Sequence, residues 1–140
     1  MDKGLNEIIV ISAINLRMGG GLSILKDCLL YLQKKLSSKY DIVALVHKND
    51  LFNNMNMFKI KFIEFPQNSY FYRFYYEYYY FNRLSQKLKP YLWLSLHDIT
   101  PNIKSGLGAV YCHNPPPFYK CSLKEILLDP KFYIFTLNHR

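Results

Sequence analysis

Four polar residues of this 140-residue chain stand directly after apolar, strand-like runs. His97 and Asp98 follow Tyr91–Leu96, and His113 and Asn114 follow Ala109–Cys112. An imidazole titrates near neutrality and trades protons or hydrogen bonds with hydroxyls and phosphates. Pro115, Pro116 and Pro117 come next; they forbid ladder hydrogen bonds and a helix interior alike, so His113 and Asn114 are pinned between a strand end and a stiff run. A third feature is the triplet Gly19, Gly20 and Gly21. Bare backbone at a helix start offers free N–H groups and the positive dipole end to an anion or a sugar hydroxyl. Each feature has a plain structural alternative: Asp98 suits a turn cap, His97 and His113 suit half-buried packing, and glycines serve tight turns. Their weight comes from whether one sheet edge collects them.

The elements around them predict that it does. Glu7–Ser12 (EIIVIS) reads as a buried strand, followed by a loop, Ala13–Gly21, and a helix from Leu22 to about Leu36 with leucines at steps of three and four. Asp41–Val46 is a second strand and His47–Met57 a loop with a short helical turn at most. Lys59–Phe65 is a third strand nearer an edge, ended by Pro66. A long helix is expected over residues 69–89, with Phe71, Phe74, Tyr78, Phe81, Leu84 and Leu88 as its buried stripe. Arg73 and Glu77 fall off that stripe as a surface i, i+4 pair. Tyr91–Leu96 and the run ending at His113 complete five strands. Strand, glycine turn and helix at the start suit an α/β, Rossmann-like, mostly parallel sheet with helices on both faces. In a parallel sheet, Gly19–Gly21, His97–Asp98 and His113–Asn114 all reach the carboxyl edge.

Composition narrows the class. Half of the residues are hydrophobic, which argues for a packed core, and no apolar run reaches the roughly 20 residues of a spanning helix. The polar start, MDKGLNE, is unlike a signal peptide. Cys28, Cys112 and Cys121 are odd in number and widely spread, which suits reduced thiols in a cytoplasmic protein better than a disulfide framework or a zinc site. Eighteen Lys and Arg against 10 Asp and Glu give a net charge of +8, favouring acidic partners such as nucleotide phosphates, anionic lipid or nucleic acid. The glycine run does not fit a dinucleotide fingerprint: counted from Gly19, the third position falls on Ile24, and the second strand ends without an acid for a ribose.

Three stretches together bear a resemblance. Asn15-Leu16-Arg17-Met18-Gly19-Gly20-Gly21-Leu22, Ser95-Leu96-His97-Asp98-Ile99-Thr100-Pro101-Asn102 and Tyr111-Cys112-His113-Asn114-Pro115-Pro116-Pro117-Phe118-Tyr119 resemble bacterial group 1 (family 4) glycosyltransferases of the GT-B fold that build surface polysaccharide. The resemblance runs from about Ile8 to Tyr119. It implies the acceptor-side, N-terminal Rossmann-like half of a two-domain enzyme, with the C-terminal donor-binding domain absent from residues 1–140. It also implies transfer of a sugar from a nucleotide-sugar to a glycan or lipid-linked acceptor, without metal or cofactor. His113 would approach the transferred sugar as the catalytic residue, and Gly19, Gly20, Gly21, His97, Asp98 and Asn114 would line the substrate cleft. Partners implied are the donor, the acceptor, a peripheral contact at the inner face of the membrane and a separate C-terminal half chain, with no nucleic acid. The alternative is a basic α/β module whose tyrosine-rich helix grips nucleic acid or an anionic membrane surface.

Overall fold

A computed structural model describes residues 6–66, 70–97 and 101–112, except the side chain of Tyr70. Asp98, His113, Asn114 and the segment after Cys112 lie outside the described residues.

The five strands are β1 (Glu7–Ser12), β2 (Tyr40–Val46), β3 (Ile60–Glu64), β4 (Leu92–Ser95) and β5 (Leu107–Val110). Every pairing among them is parallel, in the order β3-β2-β1-β4-β5. The chain is thus an α/β, Rossmann-like domain, and β3 lies at an edge as its alternating sequence predicts. The fifth strand starts and ends earlier than the apolar run Ala109–Cys112 suggests. Gly106 sets that start: a Cβ there would sit 2.9 Å from the Tyr91 carbonyl oxygen, so only glycine lets β5 pass beside β4 without displacing backbone.

Helix α1 (Gly19–Lys35) covers one face of the sheet. Leu25, Leu29 and Leu32 are its buried residues, against Ile9, Ile11, Ile42 and Ala44. Each such side chain contributes about 1.5–3 kcal/mol when fully removed from water. One expectation is corrected here. The glycine triplet is the first turn of α1 rather than the loop before it. Gly19 has φ of 62°, a left-handed conformation that a side chain would strain.

The opposite face carries Val10, Val43, Leu45 and Trp93, packed against the tyrosine-rich helix. Side chains alternate along strands, so one strand feeds both layers. That helix has three parts: α2 (Tyr70–Tyr75), a π-helical turn (Tyr76–Tyr80) and α3 (Phe81–Leu88). Phe81 is its anchor, with ring centroids 5.5 Å from Trp93 and 5.2 Å from Phe65. Lys89 ends the helix in a left-handed conformation, φ 48°, and Pro90 follows.

The expected stripe on this helix holds only in its second half. Phe81 is buried, and Leu84 and Leu88 pack against the core. Phe71, Phe74 and Tyr78 are exposed, Phe71 by 87%. The inward-facing series is instead Arg73, Glu77, Phe81 and Ser85, at strict steps of four. In an α-helix of 3.6 residues per turn each such step overshoots a full turn by about 40°. The wider π turn takes up that drift. A stripe spaced at three and four therefore points the wrong residues inward before the π turn.

Candidate functional site

The strand order fixes where a site can lie. β2 and β3 extend from one side of β1, β4 and β5 from the other, so the chain reverses direction across the sheet between β1 and β4. Ligands of open α/β sheets bind beyond the carboxyl ends of the strands at such a switch point. The ladders continue slightly past the strands there: the Leu96 N–H donates to the Ser12 carbonyl at 2.9 Å and the Tyr111 N–H to the Ser95 carbonyl at 2.8 Å.

Two expected features flank this point. Gly19–Gly21 open α1 after the loop that follows β1, and His97 comes two residues after β4. Met18, the N-cap residue, makes no side-chain cap hydrogen bond, and no acidic residue occupies the first turn of α1. The leading N–H groups and the dipole of a 17-residue helix therefore meet no carboxylate of their own first turn. The chain leaving β5 also exits at this edge through Tyr111.

Basic groups gather beside the α1 start. His47 follows β2, and its imidazole is held below its usual range by partial burial first, then by the Arg17 guanidinium and by Lys48. A backbone hydrogen bond involving Phe65 and the Glu64 carboxylate pull the other way. The folded protein thus takes up the His47 proton less readily than the unfolded chain. The stability held by neutral His47 is full above the ordinary imidazole value of about 6.5 and is lost as pH falls through the lowered folded value. His47→Gln should remove that increment. Urea midpoints of the two proteins at about pH 7.5 and about pH 5.5 check it; equal pH slopes would refute the assignment.

His97 does not stand open at the edge. It is buried, and its Nε2 lies 3.0 Å from Oε1 of Glu77, itself buried. The contact has the length of a hydrogen bond but not its line, since the ring N–H direction misses the oxygen. Arg73 donates from Nε to the same Oε1 at 3.1 Å and keeps 23% of its side chain exposed. The expected surface pair Arg73–Glu77 is thus a largely buried triad with His97, where charge interactions are stronger than on an exposed helix. Ser12 and Ser95 end β1 and β4, are direct register partners and are buried. By alternation both face the same layer as Val10 and Trp93. Ser12 Oγ, Ser95 Oγ, Glu77 Oε2 and His97 Nδ1 have no hydrogen-bond partner among the described residues.

Sequence reasoning found Gly19–Gly21 and His97 but not Glu77, Ser12 or Ser95. The signals were present: an acid four residues before the anchor Phe81, and serines closing two otherwise apolar strands. Cys28 and Cys112 are free thiols, and burial pushes the Cys28 thiol up, away from nucleophile chemistry.

No family model matches the chain, and no curated protein or solved structure matches it either. Among the described residues, no helix is long and apolar enough to cross a membrane.

Proposed function

We propose that this chain is the acceptor-side N-terminal domain of a GT-B glycosyltransferase, moving a sugar from a nucleotide-sugar to a glycan or lipid-linked acceptor. The observation that supports it most is the strand order, which sets the α1 glycine turn and His97 on either side of the β1–β4 switch point. In this reading the glycine-turn N–H groups and dipole face donor phosphates, where preorganised donors lower the cost of developing negative charge. Arg17 adds positive charge to an edge that suits an anion. His97, Asp98 and Asn114 orient hydroxyls, and His113 approaches the reacting sugar. Catalysis is then positional and electrostatic. The donor half comes from a second polypeptide or domain.

The test is nucleotide release from a panel of nucleotide-sugars with membrane extract as acceptor, using the chain alone and with the polypeptide encoded immediately downstream. Activity is expected only with both, and His113→Ala should lower it at least 100-fold, the scale of a lost catalytic group. Full activity in His113→Ala would remove the assigned role. No release under any condition would sink the reading.

A second reading is favoured by one surface. Phe71, Tyr72, Phe74, Tyr75, Tyr78, Tyr79 and Tyr80 are all exposed on the tyrosine-rich helix, and Arg83 lies 4.5 Å over the Tyr79 ring. Contiguous exposed aromatics mark contact surfaces, and Tyr beside Arg and Lys suits either a lipid headgroup layer or stacked bases. Co-sedimentation with vesicles of neutral and of anionic lipid separates these. Phe71→Ser with Phe74→Ser should cut binding to anionic vesicles at least tenfold, since each Phe carries about 1.5–3 kcal/mol of transfer energy when fully buried and a bilayer interface buries it in part. Binding to single-stranded nucleic acid that falls steeply with salt and with Arg83→Ala and Lys87→Ala would favour bases instead.

A further inference from the structure

We propose that Glu77 is the positioning residue of the switch-point site: it fixes the His97 ring so that Nε2 carries the hydrogen and Nδ1 is left as an acceptor. The use of that acceptor in transfer rests on the glycosyltransferase reading; the control of the ring by Glu77 does not.

Glu77 is a costly residue to place where it is. Its relative exposure is 0%, on a helix face whose next inward residue is Phe81, packed on Trp93. A buried carboxylate is tolerated only with close cationic or hydrogen-bonding partners. Among the described residues, Glu77 is the only buried acid and His97 the only buried base, and they meet at 3.0 Å. Purely apolar packing would need neither.

The backbone around Glu77 points the same way. It is the second residue of the π-helical turn Tyr76–Tyr80. π turns are rare and occur often where a helix must aim a functional side chain. This one keeps Arg73 and Glu77 in line with Phe81 and Ser85, so Arg73 reaches Oε1 from the solvent side while His97 meets it from within. Arg73 donates to Oε1 and the His97 ring lies against the same oxygen, while Glu77 Oε2 and both His97 ring nitrogens have no hydrogen-bond partner among the described residues.

The tautomer follows from the contact. An Nε2 lone pair this close to a carboxylate oxygen would be repelled and an N–H attracted even off its line, so the contact favours the hydrogen on Nε2. In the neutral ring that leaves Nδ1 as an acceptor. Ser12 and Ser95, register partners at the ends of β1 and β4, are likewise buried without a hydrogen-bond partner among the described residues, on the sheet face that packs against this helix.

Long-range proton–nitrogen correlation on the full chain labelled with nitrogen-15 tests the ring directly. Under alkaline conditions, with the imidazole neutral, His97 should show the single Nε2–H pattern. Glu77→Leu should turn that into a mixture of both tautomers, while Glu77→Gln, which keeps an acceptor oxygen, should retain much of it. If Glu77→Leu fails to fold, Glu77→Ala supplies the comparison and should give the same mixture, while His97→Gln assigns the signal. A mixed or Nδ1–H pattern in the wild type, or the wild-type pattern in Glu77→Leu or Glu77→Ala, overturns the proposal. In the transfer assay with the downstream polypeptide, whichever of Glu77→Leu and Glu77→Ala folds should lower kcat about tenfold with little change in donor KM. Unchanged kcat also overturns it. Absence of any wild-type transfer counts against the glycosyltransferase reading alone, and the nitrogen spectra then decide the role of Glu77.

Discussion

Trp93→Ala is expected to cost about 4 kcal/mol, a large share of the roughly 5–15 kcal/mol that holds a domain folded. Trp93 is 1% exposed on β4 and joins the sheet to the tyrosine-rich helix through Phe81. Its removal deletes the largest fully buried side chain and leaves a hole that β4, hydrogen-bonded on both sides, is poorly placed to fill. Because it is the single tryptophan, urea unfolding of the variant is best followed by circular dichroism. Phe71→Ala is the matched control. It removes an aromatic ring that is 87% exposed and should change stability by less than about 0.5 kcal/mol. Equal losses in the two variants would mean that the tyrosine-rich helix packs in the register spaced at three and four, with Phe71 inward.

His97→Leu should cost about 3 kcal/mol, because it leaves the Glu77 carboxylate buried with Arg73 as its remaining described partner. Glu77→Leu should cost a similar amount by orphaning the imidazole. The double variant, with leucine at both positions, is expected within about 1 kcal/mol of wild type, since replacing both members of a buried polar pair with apolar groups is often neutral. Arg73, partly exposed, then turns to water. Urea midpoints of the four proteins form a thermodynamic cycle; simple addition of the single losses would show that His97 and Glu77 are not coupled.

The sequence is legible where one interaction dominates. The strands EIIVIS and DIVALV carry long β-branched apolar runs, and they lie where those runs predict to within a residue. The leucines of α1 likewise face the sheet as their spacing requires. Parallel pairing then brings the glycine turn and His97 to one edge, as the order of elements implies. Legibility fails where interactions compete. In residues 70–81 nearly every residue is aromatic, so hydrophobicity cannot say which ring is inside. The deciding residue is Glu77, whose burial depends on a base 20 positions later in the chain (97 − 77). A local pattern holds no trace of that partner. The start of β5 escapes for a related reason, because it is set by the close approach of Gly106 to Tyr91 rather than by its own apolar run.

The placement of β1 at the middle of the sheet has a consequence in time. Ile9 pairs with Ile42 on one side, 33 residues on (42 − 9), and with Leu92 on the other, 83 residues on (92 − 9). At synthesis rates of about 5–20 residues per second, residue 92 is made roughly 3–10 s after residue 42. Through that interval the first strand of the chain has one edge paired at best and the other open. Its open backbone groups and the apolar residues beside them are then what a chaperone, or a neighbouring nascent chain, meets first. The strand made earliest is thus among the last to be secured, and slow translation of residues 43–91 prolongs its exposure.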